Sequence, residues 1–424
     1  MNPYKLFAAY AAPSVLAFAL SGVYAIVDGF FVGHSMGDAG LSAINIAYPV
    51  VSLMQSLGTG IGMGGSVLWA VRRGSAGSLA AGGYVRATLL LLLAASTAAA
   101  GGLFWLTGPI LRLMGAEGEI FILGKEYLDV IVLGAAFQIF ATGIVPIIRN
   151  NGGSLFALAV MVSGFLTNIV LDYLFVWVFQ WGTAGAAAAT VIGQLVTTLG
   201  AFFYLIYRRL PIIGSLSGFI PMARQIAKVA ASPFGLTFSP MASLMLINRF
   251  SVTNGGEAAV ACYACIAYAL TIVQMLVQGV GDGSQPLMSR FYGEGKLALA
   301  SQIQRIAYAA AIGLAAACAL LLFCTRASLG GLFGASGNTA VLTAQVLPIF
   351  LLGLIFYAFS RITTSGFYAT EKNLYSYLCV YGEPVLLLAL LCILPLIWGQ
   401  NGVWWSVVCS QILTAGLALA LKHV

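Results

Sequence analysis

Charge is the scarcest commodity in this sequence. Only 7% of its 424 residues are Asp, Glu, Lys or Arg, where a soluble domain carries roughly a quarter. With 61% hydrophobic residues alongside, a water-soluble fold is excluded. Histidine is almost missing, present only as His34 and His423. Neither His-Glu-x-x-His nor Gly-x-Ser-x-Gly occurs, so a membrane enzyme would lack its usual metal ligands or nucleophile, and no enzymatic activity is expected. A phosphate loop is also absent: the nearest Gly-Lys, at 295–296, has Arg290 where the first glycine should stand, which argues against ATP hydrolysis by this chain. No cysteine precedes Cys262, and Cys262-x-x-Cys265, with no further thiol or histidine pair nearby, reads as two buried small apolar residues. The first apolar run continues past Ala25 without a cleavage pattern, so the first helix is expected to stay in the protein.

What is present is a series of long apolar runs broken by short polar or glycine-containing joints. A spanning helix needs about 20 apolar residues, and the runs predict about twelve spans, near 8–33, 42–71, 87–113, 126–148, 155–180, 184–207, 226–250, 258–289, 304–325, 340–360, 373–397 and 402–421. The net charge of +7 comes from basic residues sorted by side. With the N-terminus inside, fifteen of them fall on the inner face, and only Arg112, Lys125, Arg249 and Arg326 fall outside. That asymmetry is the positive-inside bias, and it predicts cytoplasmic termini. No nucleic-acid motif accompanies the charge.

The chain also repeats itself. Ala12-Pro13 meets Ser232-Pro233 and Ile46-Ala47-Tyr48 meets Ile266-Ala267-Tyr268, each at an offset of 220. Gly37-Asp38-Ala39 meets Gly256-Glu257-Ala258 at 219, while Gly58, Gly60 and Gly62 recur as Gly279, Gly281 and Gly283 at 221. Trp181, Gly182, Gln194 and Thr197 recur as Trp398, Gly399, Gln411 and Thr414 at 217. Matches in chain order at a near-constant offset predict an all-α polytopic membrane protein of two pseudo-twofold-related six-helix lobes. The expected boundaries are 1–207 for the first lobe, 208–225 for a basic cytoplasmic linker and 226–424 for the second lobe. Six is even, so the repeat is parallel, and two such lobes can rock to expose a central site alternately to either side.

Ionisable residues inside spans are costly and usually face a cavity or a partner. Counting at 1.5 Å per residue, Asp28 lies roughly 5–8 Å below the outer end of the first span, Asp172 roughly 12 Å below that of the fifth, and Thr190 about 9 Å inside the sixth. Asn168 precedes Asp172 by one helical turn and shares its face. Two carboxylates, an amide oxygen and a hydroxyl can ligate Na⁺ or share a proton; the alternative is a structural hydrogen-bond cluster. In the second lobe the matching positions are Asn248, Val385, Ala389 and Val407, so only the first lobe keeps the whole set.

Pro13-x₁₄-Asp28-Gly-Phe-Phe-Val-Gly-His, with Asn168-x-x-x-Asp172 and Thr190, resembles the prokaryotic multidrug and toxic compound extrusion (MATE) transporters, whose cation site lies in the amino-terminal lobe. Gly279-Val-Gly-Asp-Gly-Ser-Gln-Pro286 with Tyr292-Gly-Glu-Gly295 is similar to a second hallmark of that family, and the likeness covers nearly the whole chain. The resemblance implies export of organic, often cationic, compounds in exchange for H⁺ or Na⁺, with Asp28, Asn168, Asp172 and Thr190 as the cation-site positions. It also implies the two-lobe architecture of the superfamily. Pro13, which removes a backbone hydrogen bond inside the first span, is a candidate hinge.

Relatives in that family often place a basic residue in the eleventh span, where this chain reads Val380-Tyr-Gly-Glu383-Pro384. Glu383 is therefore either a second proton or cation site or an acid near the inner end that snorkels or pairs with Arg361. Asp282, among Gly279, Gly281 and Gly283, is either a cavity acid or the partner of an arginine. Tyr48, Met54, Gln55, Gln194, Met275 and Gln278 are further candidates for an adaptable substrate cavity, with packing or helix-to-helix hydrogen bonding as the alternative for each. The rival function is a lipid-linked precursor flippase of the same architecture, which would need a strongly basic cavity. The expected partners are a small-molecule substrate and membrane lipid, with no cofactor beyond the coupling ion. A monomer in the prokaryotic cytoplasmic membrane is expected.

Overall fold

The computed structural model describes residues 2–215, 217–332 and 337–423, with the side chains of 78–80 and 332 left aside. In chain order the helices are α1 (Pro3–Ala76), α2 (Ser78–Leu113), α3 (Gly118–Leu133), α4 (Ala135–Asn150), α5 (Ser154–Asp172), a π-helical turn (Tyr173–Val178), α6 (Gly182–Tyr207), α7 (Phe219–Gly293), α8 (Leu297–Leu332), α9 (Gly337–Ala369), α10 (Asn373–Trp398) and α11 (Gln400–Lys422). A 74-residue helix would be about 110 Å long, several times the ~30 Å thickness of a hydrocarbon core. It is not one span. α1 breaks at Gly37 (φ 62°, ψ −155°) and α7 at Gly256 (φ 66°, ψ −162°). These are the two glycines that the repeat aligns. A side-chain Cβ at either position would touch nothing within 4 Å, so glycine is needed there for its backbone angles alone.

Counting α1 and α7 as two crossings each, and the bent pair α3–α4 as one, gives twelve crossings among the described residues. The fourth crossing departs from the sequence reading, which had it continuous. It bends by 57° between Leu133 and Ala135, where Gly134 ends α3 and its carbonyl accepts from the amides of Phe137 and Gln138 to start α4. Residues 3–36 keep helical dihedrals through Pro13.

The contacts divide the chain into two compact units that do not follow chain order simply. One comprises Met1–Phe18, Ser239–Met288 and Lys296–Val424, the other Ala19–Phe238 and Ser289–Gly295. Within the first unit, the start of α1 packs on the second half of α7: a Cβ on Gly279 would sit 2.6 Å from Val15 Cα, and one on Gly283 2.6 Å from Ala11 Cα. Within the second unit, the start of α7 packs on the second half of α1: Gly60 and Gly64 lie against the backbone of Ala230 and Phe234. The chain changes unit after Phe18 and again after Phe238, 220 residues on. The duplication is thus visible in packing as well as in sequence.

Candidate functional site

The second unit gathers Asp28 from the first crossing, Asn168 and Asp172 from α5 and Thr190 from α6. Asp172 and Asn168 are 1% and 2% exposed, and Thr190 is 9% exposed. The amide orientation that satisfies both ends of Asn168 has Nδ2 donating to Asp172 Oδ2 at 2.9 Å and Oδ1 accepting from the Thr190 backbone N–H at 3.0 Å. Asn168 therefore ties α5 to α6 while holding one oxygen of the acid. The Asp28 and Asp172 carboxyl groups lie close enough to interact directly. Oδ1 of each is buried without a partner.

Three tyrosines complete the surroundings. Tyr24, one turn before Asp28, contacts the Thr190 hydroxyl and stacks on Phe165 of α5 with centroids 5.2 Å apart. Tyr127 of α3, 6% exposed, lies within electrostatic reach of both acids and of Tyr48. Sequence reasoning singled out Tyr48 but missed Tyr24 and Tyr127. The i, i+4 spacing of Tyr24 and Asp28 on one helix face was an available signal; Tyr127 comes from another element and had none.

The first crossing is fastened to α5 just past the acids. Immediately after Asp172 the helix widens into the π-turn 173–178, a deviation that recurs at functional sites. The Val176 carbonyl freed by this turn accepts from Ser35 Oγ at 3.1 Å. Phe31 packs edge-on against Tyr173 and Trp177, and Val32, Val176 and Ala186 form a small core beside it. A movement of the first crossing relative to α5 must therefore deform this contact.

The remaining candidates divide between the units. Tyr48, Met54, Gln55 and Gln194 belong to the second unit, and Met275, Gln278, Asp282 and Glu383 to the first. Tyr48 is 46% exposed, and Gln55 and Gln194 are half-buried. Met54 has no exposed surface, so in this state it packs in the interior and lines no cavity. Asp282, 4% exposed, accepts from Arg361 Nη2 at 3.3 Å and faces Gln278 Nε2 at 3.5 Å. Of its two readings, the arginine partner is the one the geometry has. Arg361 keeps Nε and Nη1 buried without partners. No ion pair joins it to Glu383 among the described residues, although Asp282, Arg361 and Glu383 all lie within electrostatic reach of Tyr357. All seven cysteines are free.

As a cation site, the cluster offers the oxygens of Asp28 and Asp172 and the Thr190 hydroxyl. The Asn168 amide makes one bond at each end to a protein group, and its oxygen keeps a second lone pair. The orphaned Oδ1 atoms fit either a proton or a small hard cation.

The family model described as MatE matches residues 13–174 and 233–392, the two halves of the repeat. The multidrug export protein MepA of Staphylococcus saprophyticus is 23% identical over 98% of this chain and 92% of its own length. Among solved structures, an outward-facing multidrug resistance MATE family transporter of the MOP superfamily superimposes over 100% of this chain and 98% of its own, with a TM-score of 0.92 at 23% identity. A MOP superfamily transporter from Pyrococcus furiosus, described as having a binding pocket of reverse polarity, covers 100% and 96% with a TM-score of 0.93 at 22% identity.

Proposed function

The chain belongs to the MatE family of membrane transporters, and from that premise we propose that it exports organic, cationic or amphipathic compounds across the prokaryotic cytoplasmic membrane by antiport with an inward-moving ion. The observation that carries the reading is the Asp28–Asp172 carboxyl pair, Asp172 buried and Asp28 half-buried with its Oδ1 shielded, braced by Asn168 and Thr190, in one lobe only. A multidrug export name on a relative of nearly full length supports the substrate class. The protein acts as a monomer with both termini and the linker in the cytoplasm.

The proton is taken as the coupling ion, because two adjacent carboxyl groups whose Oδ1 atoms are buried and unpartnered can hold one proton between them. Without a proton or cation, two carboxylates in a low-dielectric interior repel each other. Ion entry relieves the repulsion and draws the first crossing toward α5 and α6, with Pro13 as the place where the helix yields. By linkage, a substrate that prefers the ion-free shape weakens ion binding by the factor that the ion weakens its own.

Purified protein in liposomes with an imposed pH or Na⁺ gradient, loaded with a fluorescent organic cation, tests this directly. Export driven by the pH gradient alone is expected, with substrate affinity falling on acidification, and Pro13→Ala should bind the ion normally but transport slowly. Lipid-linked precursor flipping in place of dye export would transfer the chain to the rival flippase reading. Unchanged transport in Pro13→Ala would remove the hinge.

A further inference from the structure

Outside the acid cluster, the second unit carries a groove of about 370 Å³ formed by α2, α4, α6 and the segment that follows α6. Its walls are Leu93, Phe140, Phe202 and Ile213, and at one end stands Arg86, packed against Gly214. We propose that this groove binds one molecule of anionic phospholipid, with the phosphate on the Arg86 guanidinium and an acyl chain along the apolar wall.

Three independent features point to that ligand. First, Arg86 is a cation without a counterion. It makes no ion pair among the described residues, and its Nε is buried and unpartnered. A guanidinium fork matches a phosphate, and a half-buried one gains more from such a partner than a solvated one does. Secondly, the apolar wall is not closed by protein. Leu93 is 52% and Ile213 87% exposed, so the groove stands open to an apolar ligand from outside the chain. Thirdly, the groove lies at the face that the basic-residue asymmetry assigns to the cytoplasm, and its last wall follows Arg208 and Arg209 closely in the chain. There anionic lipids are recognised by basic pockets between helices.

The segment is shaped for the contact. Gly214 has φ 146°, and a Cβ there would lie 3.0 Å from Arg86 Nη1, so glycine both sets the bend and leaves the guanidinium room. A lipid held here touches three helices of one lobe and the connection that leads out of it. It therefore acts as a clamp on the start of the inter-lobe segment.

The test uses the full-length protein in detergent, with phosphatidylglycerol, phosphatidylcholine and glycerol 3-phosphate as probes and bound lipid counted by native mass spectrometry. The wild type is expected to hold one phosphatidylglycerol roughly five- to tenfold more tightly than phosphatidylcholine, the increment one basic residue gives an anionic headgroup. Arg86→Gln should abolish the preference. Leu93→Trp, a change on an exposed surface that spares folding, should fill the groove and lower retention of both lipids with Arg86 intact. Glycerol 3-phosphate should not displace the lipid. Equal retention of the two lipids by the wild type, undiminished retention in Leu93→Trp, or displacement by glycerol 3-phosphate would each overturn the proposal. If Arg86→Gln does not fold, the Leu93→Trp comparison decides.

Discussion

At the scale of single residues, the acid cluster depends on four side chains that must agree in depth. Asp28, Asp172 and Thr190 were legible because counting inward from span ends places them level, and Asn168 because one helical turn puts it on the face of Asp172. What the sequence hid is what each is bonded to. That Asn168 spends its oxygen on the backbone of Thr190 depends on a rotamer and a helix approach that no spacing encodes. Tyr127 is an aromatic in an apolar run, a pattern that fits ordinary packing equally well. If the carboxyl pair carries the coupling ion, Asp28→Asn and Asp172→Asn should each reduce gradient-driven export to the level of protein-free liposomes, with the protein still folded in the membrane. Asparagine keeps the size and removes the ionisation. Normal export by both variants, with matched expression, would leave the cluster a structural one.

Among elements, the glycines separate two physical roles that look alike in a sequence. Gly37 stands in open space and is needed for its backbone angles, whereas Gly62 is helical and packs directly on the backbone of Gly143, where an added Cβ has no room. Gly37→Ala should therefore cost about 1–3 kcal/mol, the penalty for placing an L-residue at backbone angles that essentially only glycine adopts. Gly62→Ala should cost more, because two helix backbones have to separate. Thermal unfolding in detergent ranks them, and the reverse order would contradict the assignment. The break at Gly37 and its twin at Gly256 were foreshadowed by the repeat. The bend near Gly134 and the π-turn after Asp172 were not. Tyr-Leu-Phe-Val-Trp-Val is uniformly apolar and carries no mark of a widened helix. Both irregularities come from tertiary demands, the second of them satisfied by Ser35 from a different crossing.

For the whole molecule, the twelve crossings and the helical class were readable from hydropathy and the repeat, since both are properties of chain order. Sidedness is a separate matter and has its own check. A cysteine placed at Ser215 in a cysteine-free background should resist an impermeant thiol reagent outside intact cells and react once the cells are opened. Rapid labelling from outside would invert or break the proposed topology. Hydropathy is blind to which unit a given stretch joins. The first eighteen residues lie with the second half of the sequence, and residues up to Phe238 with the first half, because interlocking glycines admit them there.

That reciprocal exchange bears on ancestry. A single six-helix copy, folding alone, would miss the segment that its own sequence sends elsewhere, and would carry a bare glycine seam where the other copy's segment belongs. Two such copies complete each other only by trading leading helices, as in domain swapping, and duplication within one gene makes the trade permanent. Severed chains should still remember it. Residues 1–210 expressed alone are expected to be degraded, whereas expression together with 211–424 as a second polypeptide should restore both protein level and export. Independent stability of either fragment would mean that the exchange is dispensable and arose after the two copies were joined.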